Sequence, residues 1–119
     1  MENIKVYDLE KRTEIFSLSV RDFCIKCKKD IINREYIIQL IRSAGSVGAN
    51  YIEANDGLGD KDKKMRMRIC KKESKENIYW LKHVMVYESL DLEKERINLL
   101  SEANQLMLIF AAILKKLEL

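Results

Sequence analysis

No proline interrupts this chain of 119 residues and only 4 glycines loosen it, so a helix, once started, meets few residues able to stop it. With 47% hydrophobic and 34% charged residues, rich in Leu, Ile, Lys and Glu, the chain suits long helices with one apolar face and argues against disorder. Its length is that of one ordinary domain, which can bury a core without disulfide or metal staples. The expected fold is all-α, a single domain over residues 1–119 built as an antiparallel up-down four-helix bundle.

Periodicity places the helices at about 9–29, 35–56, 61–87 and 92–117. In the first, Leu9, Thr13, Phe16, Val20, Phe23 and Cys27 alternate spacings of four and three and so share one face. Asp8 reads as its N-cap, Lys26, Lys28 and Lys29 complement its negative end, and Asp30 to Asn33 reads as the turn. Between Tyr36 and Asn55 the second helix has only Arg42 and Glu53 as charged residues, which gives it little reason to face water. Ala44, Gly45, Gly48, Ala49 and Ala54 let another backbone approach it closely, in compensation for the roughly 1 kcal/mol that each glycine costs in a helix.

Gly57, Leu58 and Gly59 form the clearest break, with a glycine suited to a left-handed cap and Asp60 capping the third helix. The third helix runs about 27 residues, roughly 40 Å, with Met65, Ile69, Cys70, Ile78, Leu81, Val84 and Met85 as its apolar contacts. Asp91 starts the fourth, where Leu99, Ala103, Leu106, Phe110, Ile113 and Leu117 form one seam and Leu100, Met107, Ala111 and Leu114 a second. That stripe is too wide for one neighbour. Short connections between helices of similar length favour antiparallel packing.

Several functional classes find no support. No stretch reaches the roughly 20 uncharged apolar residues of a membrane span, and Met1 to Lys11 lacks the apolar core of a signal peptide, so a cytoplasmic location without membrane contact is expected. Three cysteines, Cys24, Cys27 and Cys70, make a disulfide framework improbable. Cys24-Ile25-Lys26-Cys27 reads as lying well inside the first helix with no second pair to complete a zinc tetrahedron; core packing for Cys27 and a partly covered Cys24 fit better. A di-metal bundle site needs Glu-x-x-His on two helices, and the one histidine, His83, stands seven residues after Glu76. Gly45-Ser46-Val47-Gly48 lies mid-helix without the Lys-Ser/Thr of a phosphate loop. No catalytic set, metal site or cofactor is expected, and an enzyme is the least supported class.

Charge is concentrated in one segment. Lys and Arg against Asp and Glu give 7 − 6 = +1 for residues 1–30, 2 − 4 = −2 for 31–60, 9 − 4 = +5 for 61–90 and 4 − 5 = −1 for 91–119. Within the basic segment Lys61, Lys64, Arg68, Lys71 and Lys75 follow spacings of three, four, three and four, forming one stripe. Such a stripe can track a phosphate backbone by counterion release without reading bases; the alternative is a solvated outer face. A second pattern, Gln39, Ser43, Ser46, Asn50 and Glu53, gives the second helix a polar stripe. Arg42, Ser46, Asn50, Glu53, Glu73 and Glu76 are expected to join in a buried network that fixes helix register or subunit pairing, in preference to a functional pocket. Tyr79, Trp80 and Tyr87 read as packing or interface aromatics ahead of base-stacking platforms.

At Arg42-Ser43-Ala44-Gly45-Ser46-Val47-Gly48-Ala49-Asn50-Tyr51-Ile52-Glu53-Ala54 the chain resembles the bacterial four-helix-bundle family of proteins encoded in intervening sequences of 23S ribosomal RNA genes. Tyr7-Asp8-Leu9, Arg68-Ile69-Cys70-Lys71-Lys72-Glu73-Ser74-Lys75-Glu76 and Tyr79-Trp80-Leu81 extend the similarity over about residues 7–117; Lys63 departs from it, standing where the family pattern has an aromatic. The resemblance implies an up-down bundle assembled as a homopentameric ring, with no established activity. A related branch, the accessory protein of diversity-generating retroelements, works with a reverse transcriptase and nucleic acid. The expectation is therefore a non-enzymatic oligomeric protein associated with RNA, or else DNA, through the stripe. The rival is an assembly or adaptor module whose ring meets a protein partner and binds no nucleic acid.

Overall fold

The computed structural model describes residues 8–119. Tyr7 and most of the Met1–Lys11 start, on which the opening match and the reading of a missing leader rest, lie outside the described residues. Four helices succeed one another: α1 (Leu9–Lys26), α2 (Ile31–Asn55), α3 (Asp60–His83) and α4 (Leu90–Leu117), with no strand among the described residues. Each packs on its chain neighbour and α1 closes on α4, with no close approach across either diagonal. This is the expected up-down four-helix bundle.

Phe16, Val20 and Phe23 from α1, Leu40 and Val47 from α2, Met67, Cys70 and Leu81 from α3, and Leu106 and Phe110 from α4 meet in the core. Each large apolar side chain buried there contributes about 1.5–3 kcal/mol. The α1 face is the one its periodicity indicates, Leu9 through Cys27. On α3 Cys70 and Leu81 are buried as expected, and Val84 just beyond the helix, but Met65 is exposed and Met67, Glu73, Ser74 and Asn77 are buried with them. Glu73, Ser74 and Asn77 are polar, so a search for apolar residues alone passes over half of the buried residues of α3.

Four boundaries differ from expectation, most of them set by capping. α1 stops at Lys26, where Cys27 turns extended, and Lys29 Nζ donates to the terminal carbonyls of Ile25 (2.5 Å) and Cys27 (2.7 Å). Asp30 is not a turn residue but the N-cap of α2, accepting from the Asn33 amide at 2.8 Å. α3 ends at His83, four residues early, because the next loop passes through Tyr87 at φ 54°. Asp8 precedes α1 without a side-chain capping bond. Gly57 and Gly59 take φ of 70° and 108°, values glycine adopts readily, so Gly59 holds the capping position and Asp60 is the first helical residue. Ser89, whose Oγ accepts from the Leu92 amide at 3.2 Å, starts α4 ahead of Asp91.

In α4 Glu102 is the only charge between Arg96 and Lys115, and by length and composition this helix is long and apolar enough to cross a membrane. Here it is a bundle helix pinned to α1, since Arg12 Nε and Nη2 donate to the two Glu102 oxygens at 2.7 and 2.9 Å. Its other face leaves Ile97 and Leu108 exposed.

Candidate nucleic-acid interface

α3 is a helix of 24 residues, so its stripe is presented on one continuous helix rather than on loops. At 100° per residue Lys61, Lys64, Arg68, Lys71 and Lys75 fall within an arc of roughly 80°. Lys61, Arg68 and Lys75 are exposed, and Lys64 and Lys71 are half-buried, with aliphatic stems able to cover apolar surface while the ammonium reaches water. Arg68, Lys71, Lys72 and Lys75 line a shallow groove against Leu114 of α4. Lys72 joins this set outside the regular spacing.

Beyond the first turn, where Asp60 is exposed beside Lys61, the acidic residues of α3 are turned away from this face. Arg42 Nη2 donates to Glu76 Oε1 at 2.6 Å, and Arg42 Nη1 lies 3.3 Å from Glu73 Oε1. Asp62 lies 3.7 Å from Arg66. Among the described residues Lys61, Lys64, Lys71 and Lys75 make no ion pair, whereas Arg68 Nη2 is held by Glu118 Oε2 at 2.7 Å. Past the first turns the charge is thus sorted around the helix: Glu73 and Glu76 toward α2 and its Arg42, the stripe lysines outward.

The expected polar network divides. One band is Arg42 with Glu73, Glu76 and, at 3.4 Å, Gln39. The other joins Asn50 Nδ2 to Ser46 Oγ (3.1 Å), with Arg66 Nη1 donating to Asn50 Oδ1 at 2.9 Å. Arg66 is a member that spacing does not reveal, because it sits among the cations of the stripe. Glu53 is exposed and takes part in neither band. Between the bands a separate buried pair links the Ser43 hydroxyl to Asn77 Oδ1 at 2.6 Å.

Glu73 is 5% exposed, and its Oε1 is buried without a hydrogen bond, as are Asn77 Nδ2 and Trp80 Nε1 on the same face of α3. The bands join α2 to α3 and fix their register.

The cysteines are structural. All three are buried, including Cys24, expected to be partly covered. Cys24-x-x-Cys27 lies at the end of α1 rather than within it. Burial pushes the Cys24 and Cys70 thiols up to about 12, so neither supplies a thiolate for metal or redox chemistry near neutral pH. No cluster of three or more His, Cys, Asp or Glu suited to a metal occurs among the described residues.

Among the aromatics, Trp80 is half-buried and packs on the core, and the Tyr87 hydroxyl donates to Asp30. That bond holds the Asp30 carboxyl below the usual carboxylate range and raises the Tyr87 hydroxyl. Tyr79 is 54% exposed, which its expected packing role does not explain. Compared with protein-family models, curated proteins and solved structures, the chain matches none.

Proposed function

We propose that this protein is a non-enzymatic, oligomeric, cytoplasmic nucleic-acid-associated protein, with RNA its preferred polymer, that binds phosphates along the outer face of α3. The observation that carries this reading is the sorting of charge on α3: Lys61, Lys64, Lys71 and Lys75 share one face unpaired among the described residues, while Glu73 and Glu76 are drawn to Arg42 on another. A merely solubilising helix gains nothing from that separation, since mixed charges at neighbouring turns would be more stable. The similarity of Arg42–Ala54 to the intervening-sequence family supports the setting and implies a homopentamer, in which the stripe would be repeated and its avidity raised.

The test is a polarisation titration with structured RNA at about 50 mM salt, comparing the natural chain with Lys64→Glu/Lys71→Glu/Lys75→Glu. Arg68 is left in place because its reversal would set two carboxylates together at Glu118. The natural chain binds, and the triple reversal loses most binding with unchanged helicity, Glu being a good helix former. Equal binding by both overturns the reading.

A second reading, an assembly module meeting a protein partner, is favoured by Ile38, Ile41 and Ile52 on α2, exposed at 54%, 46% and 44%. They share one line of α2, at spacings of three and four, with Gly45 and Gly48, whose side of the helix meets α1 at Thr13, so a partner on these isoleucines would sit beside that crossing.

A further inference from the structure

The basic stripe does not end at Lys75. The next residues at spacings of four and three are Tyr79 and Lys82, both exposed, and both fall within the same arc of roughly 80°. Tyr79 is held as a surface wall rather than tucked into the core. Behind it the His83 ring lies at 4.3 Å between centroids, tilted by 36°, and Trp80 meets it edge-on at 4.8 Å and 86°. Tyr36 of α2 closes the cluster at 5.3 Å from His83 and 6.1 Å from Trp80. The imidazole is fixed in turn, with His83 Nδ1 2.7 Å from the Tyr79 carbonyl oxygen. The result is a backed aromatic ring, more than half exposed, standing between two outward lysines.

Resting on the phosphate-binding reading above, we infer that Lys71, Lys75, Tyr79 and Lys82 form a site for single-stranded nucleic acid, with phosphates on the lysines and one unpaired base stacked on Tyr79. A duplex keeps its bases stacked on each other, out of reach of a ring on a convex helix surface, so the aromatic adds affinity only where a base is free. Stacking tolerates any base, and its loss on truncation to alanine corresponds to roughly 5- to 100-fold in affinity. RNA and DNA strands share this chemistry.

The test uses single-stranded RNA, single-stranded DNA and duplex of matched length at one salt concentration, with the natural chain, Tyr79→Ala and Tyr79→Phe. Tyr79→Ala should weaken binding to single strands about 5- to 100-fold and leave duplex binding unchanged, while Tyr79→Phe retains the natural affinity. A second readout needs no variant: Trp80 is the chain's only tryptophan and touches Tyr79, so its emission should change on adding single strands and not on adding duplex. An emission change common to both polymers, no change with either, or equal losses on both for Tyr79→Ala overturns the stacking site while leaving the phosphate stripe standing. Absence of binding to all three polymers overturns both. The RNA and DNA arms rank the two strand chemistries, and the site stands if either binds in this manner.

Discussion

Asn33 ties together the two loops at one end of the bundle. Its Nδ2 donates to the Lys28 carbonyl at 2.8 Å and the Met85 carbonyl at 3.0 Å, and its Oδ1 accepts from the Met85 amide at 2.8 Å. Fully buried, it completes the hydrogen bonding of backbone that neither helix can serve. Asn33→Ala leaves those groups unpaired and should destabilise the protein by about 2–3 kcal/mol, read as a lower midpoint in urea; a loss below about 0.5 kcal/mol, the scale of an ordinary surface change, would contradict this role. In the sequence Asn33 reads as a turn residue, because asparagine favours turns and nothing local reveals a partner 52 positions away. The stripe lysines are legible for the opposite reason: their meaning lies in spacing along one helix.

At the scale of the helices, the crossing of α1 and α2 is governed by one glycine rather than two. A Cβ on Gly48 would stand 3.0 Å from Thr13 Oγ1, whereas one on Gly45 would meet only Ser17 Oγ at 3.9 Å. Thr13 has little freedom to yield, being buried and bonded to the Leu9 carbonyl at 2.8 Å. Gly48→Leu should therefore cost about 1–3 kcal/mol by overpacking, while Gly45→Ala gains up to about 1 kcal/mol of helix propensity. Thermal melts of both variants check this, and a raised melting temperature for Gly48→Leu would contradict the close packing. The small-residue run shows that some close approach exists; which glycine lies at the crossing depends on the rotation of α2, which composition does not encode. The α3 register is hidden similarly. Asn77 is buried with its Oδ1 bonded to Ser43, and Ser74 is buried with its hydroxyl unpaired, neither of which an apolar pattern can show.

For the whole molecule, large apolar residues stay exposed on all four helices, among them Ile15, Leu18 and Ile25 on α1, Ile38, Ile41 and Ile52 on α2, Met65 on α3, and Ile97 and Leu108 on α4. Apolar surface left on more than one face of a bundle is suited to a head-to-tail contact between copies, which closes into a ring when the rotation permits. Light scattering coupled to gel filtration should accordingly give a mass several times the 14.0 kDa of one chain, and a monomer at micromolar concentration would contradict it. The four-helix architecture was legible from periodicity and breaks, since each helix announces its own buried face. The expectation of assembly rests only on an excess of apolar surface, and the exposure of Tyr79 was not legible, because it depends on how α2 and α3 pack. The central claim, that the outer face of α3 binds phosphates, meets its most direct test in the slope of log K against log salt for the natural chain and for Lys64→Gln, Lys71→Gln and Lys75→Gln singly and together. Each lysine in contact should remove about 0.7 from the slope on a single strand and about 0.9 on a duplex, the losses adding in the triple variant; a slope unchanged by all three substitutions would contradict the account.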